Sequence, residues 1–520
     1  MPVNGKMQIA SILIQRFNPD IDDEPFLKEY QVEITQGMTI LDALHAIKTE
    51  QDGSLTFRRS CRHGICGSCA MNVNGKTILV CENPLKDNLD EAGRITIRPL
   101  QYVPVIKDLV VDRTSFWDQY KRIKPWLIPT DELPGRENRV TPEEVNRLNN
   151  AERCIMCGVC YSACPVINLD KGFIGPHAML KAFLRVSDTR TSAVAEHMAE
   201  SATTWDCTTC YMCDSLCPKE INPGQSAMTL RSLLVEDGKA PRNIGRALTS
   251  TFRQNNPFEM AHADRLSWAE GLPLVNGLQE EVDALYFLCC IACYDPRVQK
   301  SAQAMVKVMD AAGIRFGTLG NEEACCGSEV RRMGEVGLYE MMVEDRTKTL
   351  NAAKTSQIIT ASPHCFDVYQ NHYPNLDIAT EHYTQFVARL LSDGRLIFNK
   401  KIEKVVTYHD PCYLGIQNKI FDQPRSILQS IPGVELIEME RCREISLCCG
   451  GGGGRMWFEG HQSGAHLSHE RVREALTTGA QILATACPFC LNMLDDAIKT
   501  MGVDDQIEIK DIMELVVKAL

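Results

Sequence analysis

The sequence predicts a multidomain protein of mixed α+β and α/β class, and three observations predict it. Two segments near the start, residues 9–14 and 30–34, alternate apolar and polar side chains, which is typical of half-buried strands. The middle of the chain carries two C-x2-C-x2-C-x3-C-P groups among helical stretches. The second half repeats apolar runs, cysteine loops and helices with a period of about 120 residues, which indicates two duplicated α/β modules.

Length, charge and cysteine content limit the function classes. The 520 residues have room for about three or four domains. The net charge of −12 argues against nucleic-acid binding, which usually shows a basic patch. The 24 cysteines, behind an N-terminus with no leader-like segment, indicate metal ligands in a reducing, cytoplasmic compartment. The longest apolar run, Ala284 to Tyr294, is about half of a membrane span, so no direct membrane insertion is expected.

Residues 1–108 are predicted to form a β-grasp domain with one cluster-binding loop. Two strands come first, followed by a helix capped by Thr39 and by a final strand at Ile95 to Leu100. The loop has the C-x4-C-x2-C spacing of plant-type 2Fe–2S ferredoxins, with a fourth cysteine downstream. His63 lies inside this loop and is interpreted as a solvent-side residue, while a zinc knuckle is the alternative. The expected ligands are Cys61, Cys66, Cys69 and Cys81.

Residues 109–245 are predicted to form a helical domain that binds two 4Fe–4S cubes. Both cysteine groups have the bacterial ferredoxin spacing, in which the fourth cysteine ligates the other cluster. Two zinc sites are the alternative, although zinc does not need two interleaved sets of four ligands. One expected ligand set is Cys154, Cys157, Cys160 and Cys217, and the other is Cys207, Cys210, Cys213 and Cys164.

Residues 246–282 mix polar residues with glycine and proline and are predicted to be a linker with one or two short helices. Beyond it, residues 283–398 and 399–520 are the two predicted α/β modules. Their apolar runs precede the cysteine loops, so the cysteines are expected just beyond the carboxyl ends of parallel strands. Cys289 and Cys290 lie in an apolar run and are interpreted as buried small hydrophobic residues.

The first half resembles the iron–sulfur subunit of succinate dehydrogenase and fumarate reductase. The segments CRHGICGSCAMNVNGK, PWLIP, CGVCYSACP, FIGP and CPKEINP occur in that family's order. The resemblance implies electron exchange with a partner subunit that carries FAD. Two departures from the family argue against its quinone site. The family usually has a residue other than cysteine at the place of Cys210 and therefore binds a three-iron cluster there, whereas Cys210 supplies a fourth ligand. In addition, residues 166–169 lack the aromatic side chains that the family has near its quinone.

The second half resembles the CCG domains of heterodisulfide reductase, which bind noncubane iron–sulfur clusters through five cysteines. The second module carries the full set, with zinc on four of the five as the alternative. The first module lacks one cysteine, because Ser362 takes its place, and the four that remain could hold a cube, a noncubane cluster or zinc. The second set is Cys412, Cys448, Cys449, Cys487 and Cys490, and the first is Cys293, Cys325, Cys326 and Cys365.

Together the two resemblances imply the iron–sulfur subunit of a thiol:fumarate reductase of the methanogen type. Such a subunit exchanges electrons between a heterodisulfide of coenzyme M and coenzyme B and a FAD subunit that reduces fumarate. Arg455 is the candidate cation for an anionic thiol, and His409 the candidate donor to a departing thiolate; the alternatives are a packing arginine and a structural histidine. A menaquinone-linked enzyme with CCG modules for docking, and a non-catalytic electron-transfer hub, remain open.

Overall fold

The computed structural model describes residues 8–129, 137, 139–199, 201–458, 460 and 466–520. The chain divides into two compact units. One consists of Met1–Thr204 with Tyr211–Leu230, and the other of Trp205–Cys210 with Arg231–Leu520. None of the helices in the described ranges has both the length and the apolar surface that a bilayer crossing requires.

The first unit begins with a five-stranded mixed sheet of order β2-β1-β5-β3-β4. β1 pairs antiparallel with β2 and parallel with β5. The helix α1 starts at the predicted Thr39 cap, whose hydroxyl accepts the N–H of Asp42 at 3.1 Å. The elements are β1 Ile9–Arg16, β2 Phe26–Glu33, α1 Ile40–Ala46, β3 Ala70–Val73, β4 Lys76–Leu79 and β5 Arg94–Arg98.

A two-stranded ribbon and a run of short helices follow. A proline occupies the first turn of several of these helices, where its missing N–H leaves no intrahelical hydrogen bond unmade. The helix α9 passes from the first unit into the second. The elements are β6 Val105–Lys107, β7 Val110–Val111, α2 Thr114–Arg122, α3 Pro142–Glu152, α4 Val159–Ser162, α5 Pro165–Leu169, α6 Gly175–Val186, α7 Val194–His197, α8 Met212–Ser215 and α9 Pro223–Glu236.

The first CCG module has a five-stranded sheet of order β12-β11-β9-β10-β8, with every pair parallel. Its edge strand β8 lies within the predicted linker, so the sheet begins earlier than residue 283. The elements are α10 Arg242–Gln254, β8 Val275–Asn276, β9 Ala284–Phe287, α11 Cys290–Tyr294, α12 Pro296–Ala311, β10 Phe316–Thr318, α13 Ser328–Arg332, α14 Val336–Asn351, β11 Gln357–Thr360, α15 Pro363–His372, β12 Ala379–His382 and α16 Tyr383–Ser392.

The second CCG module has a four-stranded parallel sheet of order β14-β13-β15-β16. The two modules share one hydrophobic core, in which α12 packs on α20 and α16 on α17. The predicted class, α+β followed by duplicated α/β modules, is confirmed. The elements are β13 Lys404–His409, α17 Asp422–Ser430, β14 Val434–Leu436, α18 Leu467–Thr477, β15 Ile482–Thr485, α19 Pro488–Thr500, β16 Glu508–Asp511 and α20 Ile512–Ala519.

Candidate metal centres

The loop of the N-terminal sheet brings its four cysteines together around backbone N–H groups. The N–H of Gly64 donates to the sulfur of Cys81 at 3.2 Å, and the N–H of Cys66 donates to Cys61 at 3.3 Å. Burial raises the pKa of Cys69 to about 12, because the side chain lies beside Cys81 in the interior. N–H groups aimed at sulfur are the outer contacts that a 2Fe–2S cluster uses. His63 is exposed, and one of its ring nitrogens bonds only the carbonyl of Cys61 at 2.6 Å.

The first set of cube ligands lines one cavity in the first unit. All four cysteines of the set border it, together with Phe116 and the buried His177. The ring of His177 stacks on Phe116 with 4.0 Å between centroids. Burial raises the pKa of Cys157 to about 11. Buried thiols of this kind are costly to ionise unless a cation holds the thiolates, which is the situation that an iron–sulfur cluster creates.

The 2Fe–2S loop packs against the loop of the first cube. Gly67 has a φ of +69°, and a Cβ at this position would lie 2.7 Å from the Cα of Cys157. Only glycine combines that backbone conformation with this close approach. The two cluster loops are therefore neighbours within one compact unit.

The second set of cube ligands is divided between the units. Cys164 and Cys213 belong to the first unit, and Cys207 and Cys210 to the second. Within the second unit, the N–H of Thr209 donates to the sulfur of Cys207 at 3.4 Å. The ligand set as a whole stays a prediction.

The second CCG module brings all five of its predicted ligands together, and all five are buried. Their side chains form a continuous series of contacts that starts at the end of β13, runs through the loop before α18 and ends at the start of α19. The N–H of Gly450 donates to the sulfur of Cys448 at 3.3 Å. In order of contact the series is Cys412, Cys448, Cys449, Cys490 and Cys487.

His409 faces this series but as a neutral ring. One of its ring nitrogens lies within 4.8 Å of the sulfurs of Cys449 and Cys490. Burial lowers the pKa of His409 to about 3, and its Nδ1 accepts the Nε–H of Arg471 at 3.0 Å. The ring proton is therefore on Nε2, which has no other partner among the described residues. His409 is thus a neutral ring that lies beside two of the sulfurs without bonding them, and its role as a donor to a departing thiolate stays a prediction.

Arg455 is already paired. Its guanidinium forms an ion pair with the buried Asp206 at 2.8 Å. The predicted cation for an anionic thiol thus has a carboxylate partner within the protein, which is what the alternative of a packing arginine expects, and its role toward a thiol stays a prediction.

The glycine run of the second module fits closely against residues 207–210. A Cβ at Gly452 would lie 2.8 Å from the carbonyl oxygen of Thr208, and one at Gly453 would lie 2.9 Å from that of Cys207. The hydroxyl of Tyr413, next to Cys412, donates to the carbonyl of Thr209 at 2.9 Å. The glycines therefore bring the backbone of the second module against the loop that carries two predicted cube ligands.

His364 and Glu329 join the two modules, and neither is expected from the sequence pattern. His364 belongs to the first module, yet its side chain hydrogen-bonds Cys487 of the second, and its Nδ1 lies 2.9 Å from Glu329. Burial alone would lower the pKa of His364, but the bonds to Cys487 and Glu329 raise it to about 10. The other oxygen of Glu329 accepts the N–H of Gly454 at 2.9 Å. Only contacts between distant segments reveal this pair.

The first CCG module differs from the prediction in its cysteines. One cavity is lined by five of them, and Cys289 and Cys290 are included while Cys293 is not. Cys290 accepts from the buried Arg265 at 3.4 Å, and Arg265 is paired with Glu323 at 2.8 Å. Cys289 and Cys290 are buried, as their interpretation as small hydrophobic residues expects, and their position at the cavity also makes them candidate ligands. Arg265 lies in the predicted linker, to which no chemistry was assigned.

The donor chemistry of these centres fits iron–sulfur clusters. All 24 cysteines are free of disulfide bonds, and the five-cysteine sets are fully buried. At four loops, backbone N–H groups point at cysteine sulfurs. Softness and number of ligands favour iron–sulfur clusters over hard cations such as Mg²⁺.

Family models match three parts of the chain. Residues 11–118 match a 2Fe-2S iron-sulfur cluster binding domain, and residues 150–221 match a 4Fe-4S dicluster domain. Residues 284–368 and 406–495 each match a cysteine-rich domain.

Relatives that match across several domains decide the family. The chain is 31% identical over 398 residues to a subunit of the dihydromethanophenazine:CoB–CoM heterodisulfide reductase of Methanosarcina barkeri, covering 72% of this chain and 95% of the relative. This chain belongs to the family of that heterodisulfide reductase subunit. It is also a homologue of a subunit of the fumarate reductase (CoM/CoB) of Methanothermobacter marburgensis, with 29% identity over 98% of each chain.

A third relative shows how the family varies in length. The chain is 34% identical over 327 residues to the probable iron-sulfur-binding oxidoreductase FadF of Bacillus subtilis, and the match spans 46% of that protein. The shared part covers 61% of this chain. Membership in this family makes the chain an oxidoreductase subunit that carries 2Fe–2S and 4Fe–4S clusters and transfers electrons.

Proposed function

We propose that the chain is the iron–sulfur subunit of a thiol:fumarate reductase. It exchanges electrons between a thiol and heterodisulfide site in the second CCG module and a partner subunit whose FAD reduces fumarate to succinate. Two thiols release two electrons and two protons when they form a disulfide, and fumarate takes up both pairs. A chain of one-electron carriers joins the two reactions. The match to the fumarate reductase subunit over nearly the full length supports this assignment.

The observation that carries the proposal is the second module's five-thiol series with a neutral histidine beside it. When bound, the noncubane cluster supplies an iron site for thiolate sulfur and a one-electron acceptor. One ring nitrogen of His409 lies within 4.8 Å of the sulfurs of Cys449 and Cys490, and the bond from Arg471 to Nδ1 fixes the ring proton on Nε2. A fixed N–H donor beside sulfur lowers the free energy of a thiolate form without requiring a charge on the ring.

Close contacts supply a route for electrons at each end of the relay. In the first unit, the 2Fe–2S loop lies against the loop of the first cube at Gly67 and Cys157. In the second unit, Tyr413 connects the end of β13 with the loop of Thr209. The hydrogen bond to Cys448, burial and the nearby Cys210 all raise the pKa of Cys412, so Cys210 and Cys412 lie near one another. Short covalent and hydrogen-bonded paths of this kind are what a one-electron relay needs.

The exposed end of the relay is the 2Fe–2S loop. Ile65 is 58% exposed at its tip, and Arg59 and Arg62 beside it are exposed. An apolar tip with a cationic rim is suited to a docked protein surface. We assign this end to the partner that carries FAD.

The test uses the chain produced anaerobically together with its cognate flavoprotein. Coenzyme M and coenzyme B thiols should be consumed in the ratio of two thiols per fumarate reduced. Cys449→Ser should abolish this activity, while fumarate reduction by a reduced viologen dye persists. Cys442→Ser is the matched control, because Cys442 is a half-buried cysteine outside the five-thiol series, and it should keep both activities.

The result that contradicts the proposal is equally defined. If menaquinol drives fumarate reduction and the two thiols do not, the second module does not oxidise thiols and the quinone-linked alternative holds. If neither donor works while the dye does, the chain is an electron-transfer hub.

A further inference from the structure

The first CCG module contains a fifth cysteine that the linear pattern hides. The expected C-x2-C pair is broken because Ser362 occupies the first of its two positions. Nevertheless, the cavity at the carboxyl ends of β9 and β11 is bordered by five thiols. They are Cys289, Cys290, Cys325, Cys326 and Cys365.

The strand register shows which positions of the two modules correspond. In the first module Phe287 of β9 is opposite Thr360 of β11, and in the second His409 of β13 is opposite Thr485 of β15. Thr360 precedes Ser362 by two residues, as Thr485 precedes Cys487. Counting from Phe287 and His409, Cys290 therefore corresponds to Cys412, and Cys293 corresponds to Gly415. The register explains why Cys293 does not border the cavity.

The same register shows that the fifth thiol lies on the strand next to the one that carries Ser362. Residues two positions beyond Phe287 and Thr360 are Cys289 and Ser362, so these two face each other at the same height on neighbouring parallel strands. In the second module the residue opposite Cys487 is Pro411. In the first module the fifth cysteine therefore follows β9, whereas the corresponding cysteine of the second module follows β15. The cavity has five thiols in both cases.

The order of contacts repeats that of the second module. Cys290 contacts Cys325, Cys325 contacts Cys326, and Cys326 contacts Cys365 at 3.4 Å between sulfurs. Cys365 in turn contacts Cys289. In the second module the equivalent series ends on Cys487, so Cys289 takes the place of that residue.

The surroundings repeat as well. The N–H of Gly327 donates to the sulfur of Cys325 at 3.5 Å, as the N–H of Gly450 does to Cys448 at 3.3 Å. Arg265 adds a buried cation that donates to Cys290. These donors face sulfur atoms, and a set of thiolates in a dry cavity needs such compensation.

We propose that Cys289 completes a five-thiolate site in the first module, and that this site binds an iron–sulfur cluster of the same kind as the second module. Zinc is held by four thiolates in a closed tetrahedral site, so a fifth thiol in contact with the set would have no role there. A cube also needs only four. The inference concerns only the ligand set of this module and does not depend on which donor the enzyme uses.

The experiment compares three variants of the full chain, purified anaerobically with its partner. Cys289→Ser removes the fifth thiol. Cys293→Ser is the matched control, because it alters a buried cysteine four residues away that does not border the cavity. The double variant Cys289→Ser with Ser362→Cys moves the thiol back across the strand, to the position that Cys487 has in the second module.

Iron, acid-labile sulfide and zinc are counted per chain, and low-temperature EPR spectra are recorded. Cys289→Ser should lose about four iron atoms relative to the wild type, Cys293→Ser should lose none, and the double variant should recover them. The EPR signal of the 2Fe–2S cluster in each sample shows that the rest of the chain is intact.

Three results would overturn the proposal. One is about one zinc per wild-type chain that is retained in full in Cys289→Ser. Another is full iron content and an unchanged EPR spectrum in Cys289→Ser. The third is iron loss in Cys293→Ser with none in Cys289→Ser, which would restore the ligand set expected from the spacing alone.

Discussion

Removing the guanidinium of Arg265 should destabilise the first CCG module strongly. The side chains of Arg265 and Glu323 are 1% and 2% exposed, and their charged atoms are 2.8 Å apart. Arg265→Met leaves the carboxylate buried without a cation, which costs about 3–5 kcal/mol in other proteins. Arg265 also donates to the carbonyl of Leu288 at 2.9 Å, directly after β9. The substitution should therefore lower the stability of that strand.

A second variant, the double substitution of Arg265 and Glu323, removes both charges. In Arg265→Met with Glu323→Leu no charge remains buried alone, so the cost of the isolated carboxylate disappears. The N–H and carbonyl of Leu288 lose their side-chain partners, because Glu323 accepts that N–H at 3.3 Å. Such unpaired backbone groups cost about 1–3 kcal/mol. The double variant should therefore be more stable than the single one.

Hydrogen exchange with mass spectrometry measures the effect on the holoprotein. The amides of β9 are the reporters, because this strand is central in its sheet and fully buried. A loss of about 3–5 kcal/mol lowers their protection by roughly two to three and a half powers of ten. Arg315→Met is the control, since its ion pair with Glu280 is 57% and 60% exposed and such pairs contribute about 0–1 kcal/mol. Equal protection in Arg265→Met and Arg315→Met would refute the reasoning, as would a double variant less stable than the single one.

Three further predictions concern the second unit. Gly453→Ala should lower the melting temperature in calorimetry more than Gly502→Ala. Both glycines have a φ of +65°, but only a Cβ at Gly453 would meet a carbonyl oxygen, at 2.9 Å. Equal shifts in melting temperature would contradict this. Tyr413→Phe should cost about 1–3 kcal/mol by hydrogen exchange, because the buried Arg332 loses the hydroxyl that accepts its Nε–H, and unchanged protection of α13 would count against it. Burial raises the pKa of Asp511 from 3.8 to about 7, so its contribution to stability is complete below about pH 4 and is lost as the pH rises through 7; Asp511→Asn should remove this decline from the curve of melting temperature against pH.

Local patterns in the sequence predicted most of the fold. Alternating apolar residues marked β1 and β2, and the Thr39 cap with Asp42 marked the start of α1. The apolar runs before the cysteine loops became parallel strands with the cysteines beyond their carboxyl ends. These features depend on residues close together in the chain, where spacing and periodicity carry the information.

Features that depend on pairing between distant segments were missed. The strand β8 has only two residues, too few for any periodicity, and it lies in the segment predicted to be a linker. Cys289 lies opposite Ser362, the position at which the first module lacks a thiol. This relation is visible only when the register of β9 and β11 is known. Arg455 follows the cysteine loop in sequence, yet its partner Asp206 lies 249 residues away.

The duplication is not symmetric, and its asymmetry supports thiol chemistry in the second module. His364 and Phe489 occupy equivalent positions, each directly before a cluster cysteine, and their rings stack with 4.5 Å between centroids. His364 hydrogen-bonds Cys487 of the second site, whereas Phe489 borders the cavity of the first. Each module therefore supplies one ring to the centre of the other module. The ring that reaches the second centre, His364, is a hydrogen-bonding one, whereas the ring that reaches the first centre, Phe489, is not. With His409 on its other side, the second site has two histidine rings beside its sulfurs, whereas the first site receives Phe489 and the fixed cation of Arg265. The second site is therefore the better suited of the two to hydrogen-bond a substrate sulfur on which charge develops.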